Sequence, residues 1–146
     1  KVLNLLTNTI AMKTPQTIFY LDDDTDDLYF FKEIAESLGH EIEIFINGTE
    51  MLRVLEKKIP DIIFLDVYMP VFDGDEILDV IKKNEAWNQI PVVMISGIFP
   101  KSNAGKYIDS GANYLMKKPV NFTELKTSLE NILTIDWKNF QPSEED

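Results

Sequence analysis

The residues best suited to chemistry are acids, a hydroxyl and a lysine, and each follows a short apolar run. A short apolar run bounded by turn residues is typical of a buried strand. In an open sheet of parallel strands, ligand sites lie just beyond the carboxyl ends of the strands. The side chains in such places are Asp22, Asp23 and Asp24 after residues 17–21, Asp66 after 62–65, Ser96 after 91–95, and Lys118 after 113–116.

Together these side chains could bind a metal ion and a phosphoryl group. Carboxylates crowded at one sheet edge repel each other, and a hard divalent cation relieves that repulsion. Oxygen ligands suit Mg²⁺, and Asp22 and Asp23 are its natural ligands because they come as a pair. Asp66 stands alone at a strand end, so it is the natural nucleophile for forming an aspartyl phosphate. A lysine and a hydroxyl can hold the remaining phosphoryl oxygens.

Strand candidates alternate with helical stretches five times along the chain. The first helical stretch places apolar residues at helical spacing from Leu28 to Leu38, and Gly39 ends it. Its expected N-cap is Thr25 or Asp26. This alternation predicts an α/β fold, in which a parallel sheet with right-handed crossovers carries helices on both faces.

Composition excludes several classes of function. The chain has 146 residues, 45% of them hydrophobic, which predicts one domain with a hydrophobic core. No apolar run is long enough to span a membrane, and the absence of cysteine fits a cytoplasmic protein. A net charge of -11 argues against nucleic-acid binding through phosphate contacts. With His40 as the single histidine, a catalytic triad or a histidine-rich metal site is not expected.

The two ends of the chain differ from the repeating part. Residues 1–15 match none of the strand and helix pattern and are expected to be an N-terminal extension, or alternatively a short helix that packs on a neighbouring surface. Residues 136–146 are expected to form an acidic C-terminal tail, although Trp137 and Phe140 are suited to capping the core. The domain itself is therefore predicted over residues 16–135.

The motifs in chain order resemble the receiver domain of response regulators, the family of the bacterial chemotaxis regulator. The resemblance covers about residues 16 to 134 and depends on the whole set, since any one fragment is weak. It implies a flavodoxin-like, doubly wound, five-stranded parallel sheet of order 2-1-3-4-5 with five helices. The fragments are Leu21-Asp22-Asp23, Leu65-Asp66, Met69-Pro70, Asp73-Gly74, Ile95-Ser96-Gly97, Gly111-Ala112 and Lys118-Pro119.

The resemblance also implies roles for the acids. Asp66 falls at the position that accepts the phosphoryl group. Asp23 falls at the direct Mg²⁺ ligand, and Asp22 at the residue that holds the ion mainly through water. The backbone carbonyl of Tyr68 falls where the family supplies a further protein ligand.

The resemblance also implies roles for the serine hydroxyl and the lysine. Ser96 falls at the position that bonds the phosphoryl group and moves on activation. Lys118 falls at the lysine that pairs with the acceptor and then with the phosphate, and the peptide bond before Pro119 is expected to be cis. The chain departs from the family at the usual aromatic switch position, where it has Leu115. Tyr114 is one residue early and should face the other side of the strand.

The predicted function is a receiver in a two-component phosphorelay. A histidine kinase or a histidine phosphotransfer protein would supply the phosphoryl group, and a downstream protein would read the changed conformation. Such a receiver is not a conventional enzyme, since it catalyses only its own phosphorylation and dephosphorylation. Binding to nucleic acid and insertion into a membrane are not expected.

Two other functions remain open at this point. A phosphatase of the haloacid-dehalogenase type also uses Asp and Mg²⁺, and Asp22 and Asp24 fit the start of its motif, but Asp26 stands where Thr or Val is needed. The other alternative is an interaction module of the same fold that is not phosphorylated. The presence of all the acids and the lysine argues against that alternative.

Overall fold

The computed structural model describes residues 14–69, 73–97 and 101–140. Among these residues, five strands alternate with five helices. The strands are β1 (Thr17–Leu21), β2 (Glu41–Phe45), β3 (Ile62–Asp66), β4 (Val92–Ser96) and β5 (Tyr114–Lys117). The helices are α1 (Thr25–Ser37), α2 (Gly48–Leu55), α3 (Gly74–Lys83), α4 (Lys101–Asp109) and α5 (Phe122–Ile132).

The five strands form one parallel sheet in the order β2-β1-β3-β4-β5. This order confirms the predicted doubly wound fold. The three central strands are buried almost throughout, which explains why their sequences are continuous apolar runs rather than alternating ones.

Helices cover both faces of the sheet, as predicted, and each face has its own core layer. One layer packs α2, α3 and α4 against the sheet, and the other packs α1 and α5. Alternate residues of a strand point to opposite layers, so Phe19 and Leu21 belong to the first layer while Ile18 and Tyr20 belong to the second. The sheet is therefore held rigid from both sides, and its carboxyl edge is a fixed platform.

The ends of α1 show both a correct and a wrong prediction. Gly39 follows the helix with φ of 91°, a left-handed conformation that glycine adopts without strain, as expected for a helix end. The N-cap is Asp24, not Thr25 or Asp26, because the Asp24 carboxylate accepts hydrogen bonds from the backbone N–H groups of Asp26 and Asp27. Thr25 is already the first helical residue.

The predictions for the chain ends are only partly covered by the structure. Residues 1–13 and 141–146 lie outside the described residues, and so does Pro70. Trp137 and Phe140 pack against Tyr114 on β5, with ring centroids 6.4 and 5.9 Å from the tyrosine ring, as their suggested capping role requires. None of the helices in the described part of the chain has the length and apolarity needed to cross a bilayer.

Candidate functional site

Acids from β1 and β3 meet at the carboxyl edge of the sheet. Leu21 is paired with Leu65 in the β1–β3 register, so the residues that follow them, Asp22 and Asp66, become neighbours. One carboxylate oxygen from each of Asp22, Asp23 and Asp66 lies within 4.8 Å of the other two. Asp22 and Asp66 are 0% and 4% exposed, whereas Asp23 faces solvent. The edge is thus an acidic pocket with two buried carboxylates and one open one.

Lys118 brings a positive charge into this acidic pocket. Its Nζ lies 2.9 Å from Asp22 Oδ2 and 3.6 Å from Asp66 Oδ1. It also donates a hydrogen bond of 2.8 Å to Asp27 Oδ2 on the first turn of α1. The Lys118 N–H donates to the carbonyl of Ser96 at 2.7 Å, which extends the β4–β5 pairing and fixes the backbone from which the lysine reaches in.

Ser96 and Tyr68 lie at the same edge of the sheet. Ser96 ends β4, is 1% exposed, and lies one residue beyond the pairing of Asp66 with Ile95. Tyr68 follows β3 by two residues, and its side chain is mostly exposed. The six residues to which the family resemblance gives roles are therefore close to this edge, at the ends of β1, β3, β4 and β5: Asp22, Asp23, Asp66, Tyr68, Ser96 and Lys118.

Three donors hold the buried Asp22 carboxylate. The hydroxyl of Tyr20 donates a hydrogen bond of 2.6 Å to Asp22 Oδ2, and the backbone N–H of Asp24 donates one of 2.9 Å to Asp22 Oδ1. Lys118 also reaches Oδ2. A carboxylate excluded from water needs such donors, because leaving one unsatisfied is costly.

The pKa values in the pocket are shifted by burial and by the crowded charges. Burial raises the pKa of the Asp66 carboxyl from 3.8 to about 7, and the charge of Asp22 adds to the rise, while Lys118 acts against it. For Lys118, burial alone would lower the pKa, but hydrogen bonds to Asp27 and Asp22 more than offset it, so the pKa is raised. Burial, with the negative charge of Asp22, raises the pKa of Tyr20, so its hydroxyl stays protonated and donates.

Sequence reasoning missed two members of the pocket, Tyr20 and Asp27. Tyr20 lies within the apolar run 17–21, two residues before Asp22 and therefore on the same side of β1. A buried tyrosine hydroxyl also requires a polar partner. Asp27 belongs to the acidic first turn of α1. Because α1 begins just beyond the carboxyl end of β1, this first turn lies near the same edge of the sheet.

The peptide bond between Lys118 and Pro119 is trans, so the predicted cis bond is wrong. The trans form is the lower in energy for an X–Pro bond, by about 0.5–1 kcal/mol. The lysine reaches Asp22 and Asp27 with this trans geometry.

The residues at the usual aromatic switch position behave as the strand alternation predicts. Leu115 is buried in the layer that holds α2, α3 and α4, whereas Tyr114 belongs to the opposite layer and packs against Trp137 and Phe140. Tyr114 therefore does not substitute for an aromatic ring at the Leu115 position.

Gly74, the first residue of α3, lies directly against the pocket. Its N–H donates to the carbonyl of Val67 at 3.0 Å, and a Cβ placed on it would collide with the backbone carbonyl oxygen of Asp66. We expect Gly74→Ala to destabilise the chain by about 1–3 kcal/mol, because backbone rather than a flexible side chain must move. Urea unfolding measures this, and Gly97→Ala is the matched control, since a Cβ there meets no atom within 4 Å. Equal effects of the two substitutions would contradict the expected clash.

Comparison with known sequences decides the family. Residues 18–130 match the sequence model described as the response regulator receiver domain. The match covers more than half of the chain. The chain belongs to the response-regulator receiver family. The predicted resemblance is thereby confirmed, and receivers of this family take phosphoryl groups from histidine kinases and bind a divalent metal at an acidic pocket.

The curated relatives that this receiver resembles include a chain of similar length and a much longer one. It is 30% identical over 105 residues to the hybrid signal transduction histidine kinase K of Dictyostelium discoideum, a match that covers 67% of the receiver and 9% of the kinase. It is 22% identical over 119 residues to the polar-differentiation response regulator DivK of Brucella anthropi, covering 82% of the receiver and 97% of DivK. Because the receiver spans so little of the Dictyostelium protein, the activity of that whole kinase does not transfer to it.

Solved structures show the same fold. The phosphorylated cyanobacterial phytochrome response regulator RcpA is 26% identical and matches with a TM-score of 0.73, over 82% of the receiver and 91% of RcpA. The Mn²⁺-bound form of the response regulator Rcp1 is 23% identical, with a TM-score of 0.71, over 87% and 98% of the two chains. The family match and the parallel sheet order do not favour the haloacid-dehalogenase alternative.

Proposed function

We propose that this receiver accepts a phosphoryl group on Asp66 with Mg²⁺ bound in the acidic pocket. The observation that carries the proposal is the convergence of three carboxylates within 4.8 Å of one another, with the Lys118 ammonium 3.6 Å from Asp66. Asp66 is the acceptor because it is buried, ends a rigid central strand and lies beside the cation.

The donor set of the pocket fits a hard divalent cation. Asp22, Asp23 and Asp66 offer carboxylate oxygens, and the Tyr68 carbonyl is the further ligand proposed from the family position. Mg²⁺ takes oxygen ligands and keeps several waters, which suits a pocket open on the Asp23 side. Rcp1 in its Mn²⁺-bound form supports a divalent cation in this fold. When bound, the ion neutralises charge on the phosphoryl oxygens.

The transfer step itself uses one oxygen of Asp66 as nucleophile. That oxygen attacks the phosphorus of a phosphohistidine, a P–O bond forms, and the P–N bond breaks with its electron pair returning to the imidazole nitrogen. Lys118 and the Ser96 hydroxyl then hold phosphoryl oxygens. In a separate hydrolysis step, water attacks the phosphorus, the P–O bond to Asp66 breaks, and inorganic phosphate and the Asp66 carboxylate are released. The proposed receiver thus promotes both its own phosphorylation and its own dephosphorylation.

A histidine kinase or a histidine phosphotransfer protein is the proposed donor, and a separate protein is the proposed target. The added negative charge, about -1.5 to -2 for a phosphate ester at neutral pH, would redistribute the contacts of Lys118 and bias the surrounding loops between two arrangements.

Mass spectrometry after incubation with acetyl phosphate and Mg²⁺ tests the proposed function. We expect the intact parent chain to gain the mass of one phosphoryl group, and Asp66→Asn to gain none. The matched control is Asp61→Asn, because Asp61 lies at the opposite end of β3 and is exposed.

The other possible outcomes of this experiment separate the alternatives. Labelling that persists in Asp66→Asn would place the acceptor elsewhere. No labelling of the parent would favour the interaction module that is not phosphorylated, and sustained turnover of a phosphate ester would favour a phosphatase.

A further inference from the structure

We propose that Tyr20 is a positioning residue for the cation site: its hydroxyl fixes the Asp22 carboxylate in the orientation that makes the acidic pocket selective for Mg²⁺. The inference rests on the proposed function, in which Asp22, Asp23 and Asp66 hold the ion. It adds a residue that contacts neither the ion nor the phosphoryl group and acts only through Asp22.

The position of the Tyr20 hydroxyl is set by the packing of its ring. Tyr20 is 1% exposed and its ring centroid lies 4.4 Å from that of Phe31 and 6.5 Å from that of Phe64. Phe31 and Phe64 are themselves in edge contact, with centroids 5.0 Å apart. This three-ring cluster, formed by α1, β1 and β3, packs closely around the tyrosine ring and so restricts where its hydroxyl can lie at the edge of the pocket.

The hydroxyl determines which acceptor positions of Asp22 remain for a cation. An ionised carboxylate has about four acceptor positions, two on each oxygen. Tyr20 and Lys118 fill those of Oδ2, with contacts of 2.6 and 2.9 Å. On Oδ1 the Asp24 N–H fills one position at 2.9 Å. These three donors leave one acceptor position on Oδ1, and we infer that the ion, or a water bound to it, reaches Asp22 there.

Removing the hydroxyl would loosen this arrangement without removing any candidate ligand. Asp22 is fully buried, and Tyr20→Phe would remove one of the three donors that orient its carboxylate, leaving Lys118 on Oδ2 and the Asp24 N–H on Oδ1. With one donor fewer, the rotation of the carboxylate about its Cβ–Cγ bond is less restricted. Partners that orient metal ligands from outside the coordination sphere typically change metal affinity about 10–100-fold when they are mutated.

The loss should be larger for Mg²⁺ than for Ca²⁺. Mg²⁺ demands near-ideal octahedral geometry with short bonds, whereas Ca²⁺ accepts longer bonds and irregular geometry. A carboxylate held in one orientation therefore favours Mg²⁺, and a mobile one is more easily used by Ca²⁺. The ratio of the two affinities thus reports on the orientation of Asp22, and a general weakening of the fold would not change it.

Isothermal titration calorimetry of the full chain with Mg²⁺ and, separately, with Ca²⁺ tests the proposal. For Tyr20→Phe we expect the Mg²⁺ dissociation constant to rise about 10-fold and the Ca²⁺ constant to rise less, so that the preference for Mg²⁺ falls. Phenylalanine keeps the ring in contact with Phe31 and Phe64. The matched control is Tyr114→Phe, which deletes the same atom from a ring that packs against Trp137 and Phe140, away from the pocket.

The outcomes separate this inference from the proposed function. If the parent binds Mg²⁺ and Tyr20→Phe binds both ions as the parent does, or loses both affinities by the same factor, the positioning role of Tyr20 is wrong and the proposed function stands. If the parent binds no Mg²⁺, the proposed cation site fails and the inference fails with it.

Discussion

Asp66→Asn is expected to make the chain more stable at neutral pH when divalent cations are absent, by about 1–3 kcal/mol. The wild-type carboxylate is buried beside Asp22, and its pKa is raised from 3.8 to about 7, chiefly by burial. At about 1.4 kcal/mol per pKa unit, this rise in pKa means that the charged Asp66 carboxylate destabilises the folded chain by at most about 4 kcal/mol. The carboxamide must still be buried and hydrogen-bonded, so the gain falls below that bound.

The sign of the effect follows from proton binding. Between the unfolded pKa of 3.8 and the folded pKa of about 7, the folded chain holds a proton on Asp66 that the unfolded chain has lost. The contribution of wild-type Asp66 to the free energy of unfolding therefore falls as the pH rises from about 4 to about 7, and it does not fall further above that range. The advantage of Asp66→Asn should thus be small near pH 4 and complete above about pH 7.

Urea unfolding in EDTA across this pH range measures the difference between the two chains. Asp79→Asn is the control, because Asp79 lies exposed on α3 in a pair with Lys83 and such pairs contribute about 0–1 kcal/mol. Adding Mg²⁺ should stabilise the parent more than Asp66→Asn, which has lost one candidate ligand. A difference between the chains that does not change with pH would show that charge on Asp66 is not its cause.

Lys118→Met is expected to have the opposite effect and to destabilise the metal-free chain by about 2–4 kcal/mol. The lysine lies 2.8 to 3.6 Å from carboxylates of Asp22, Asp27 and Asp66, and its side chain is 24% exposed. Methionine retains most of the apolar stem of lysine, so the measured loss of stability reports mainly the removal of the positive charge. Removing one partner of a buried ion pair leaves an uncompensated charge, and here several carboxylates lose the same cation.

Denaturant unfolding in EDTA also measures this second effect, with Lys83→Met as the matched control. Lys83 makes a close but exposed ion pair with Asp79 and should contribute less than about 1 kcal/mol. Combining Lys118→Met with Asp66→Asn should restore part of the stability, because the two residues interact directly. Strict additivity of the two substitutions would indicate that the lysine does not offset the charge of Asp66.

The fold and much of the pocket could be predicted from the sequence because of one topological rule. Five repeats of strand and helix place all carboxyl ends at one edge, so Asp22, Asp66, Ser96 and Lys118 had to be close once the strands were identified. Leu115 and Tyr114 were placed on opposite layers by the alternation of strand side chains alone.

The details that escaped prediction depend on side-chain packing between distant segments. The Asp27–Lys118 pair joins residues 91 apart in the chain, and no local pattern signals it. The Tyr20–Asp22 bond depends on how Phe31 and Phe64 hold the tyrosine ring. The trans bond before Pro119 is the intrinsically favoured form, and the expected cis bond came only from the family resemblance.

The position of Lys118 beyond the last strand has a consequence for the order of assembly. Neighbouring strands β1 and β3 supply Asp22 and Asp66, whereas the ammonium group arrives only when β5 joins the far side of β4. Any folding intermediate that has paired β1 with β3 but has not yet added β5 contains the repelling acids without their internal counter-ion. We expect dissolved cations to screen these acids in such an intermediate, so the rate at which β5 joins the sheet should depend on ionic strength.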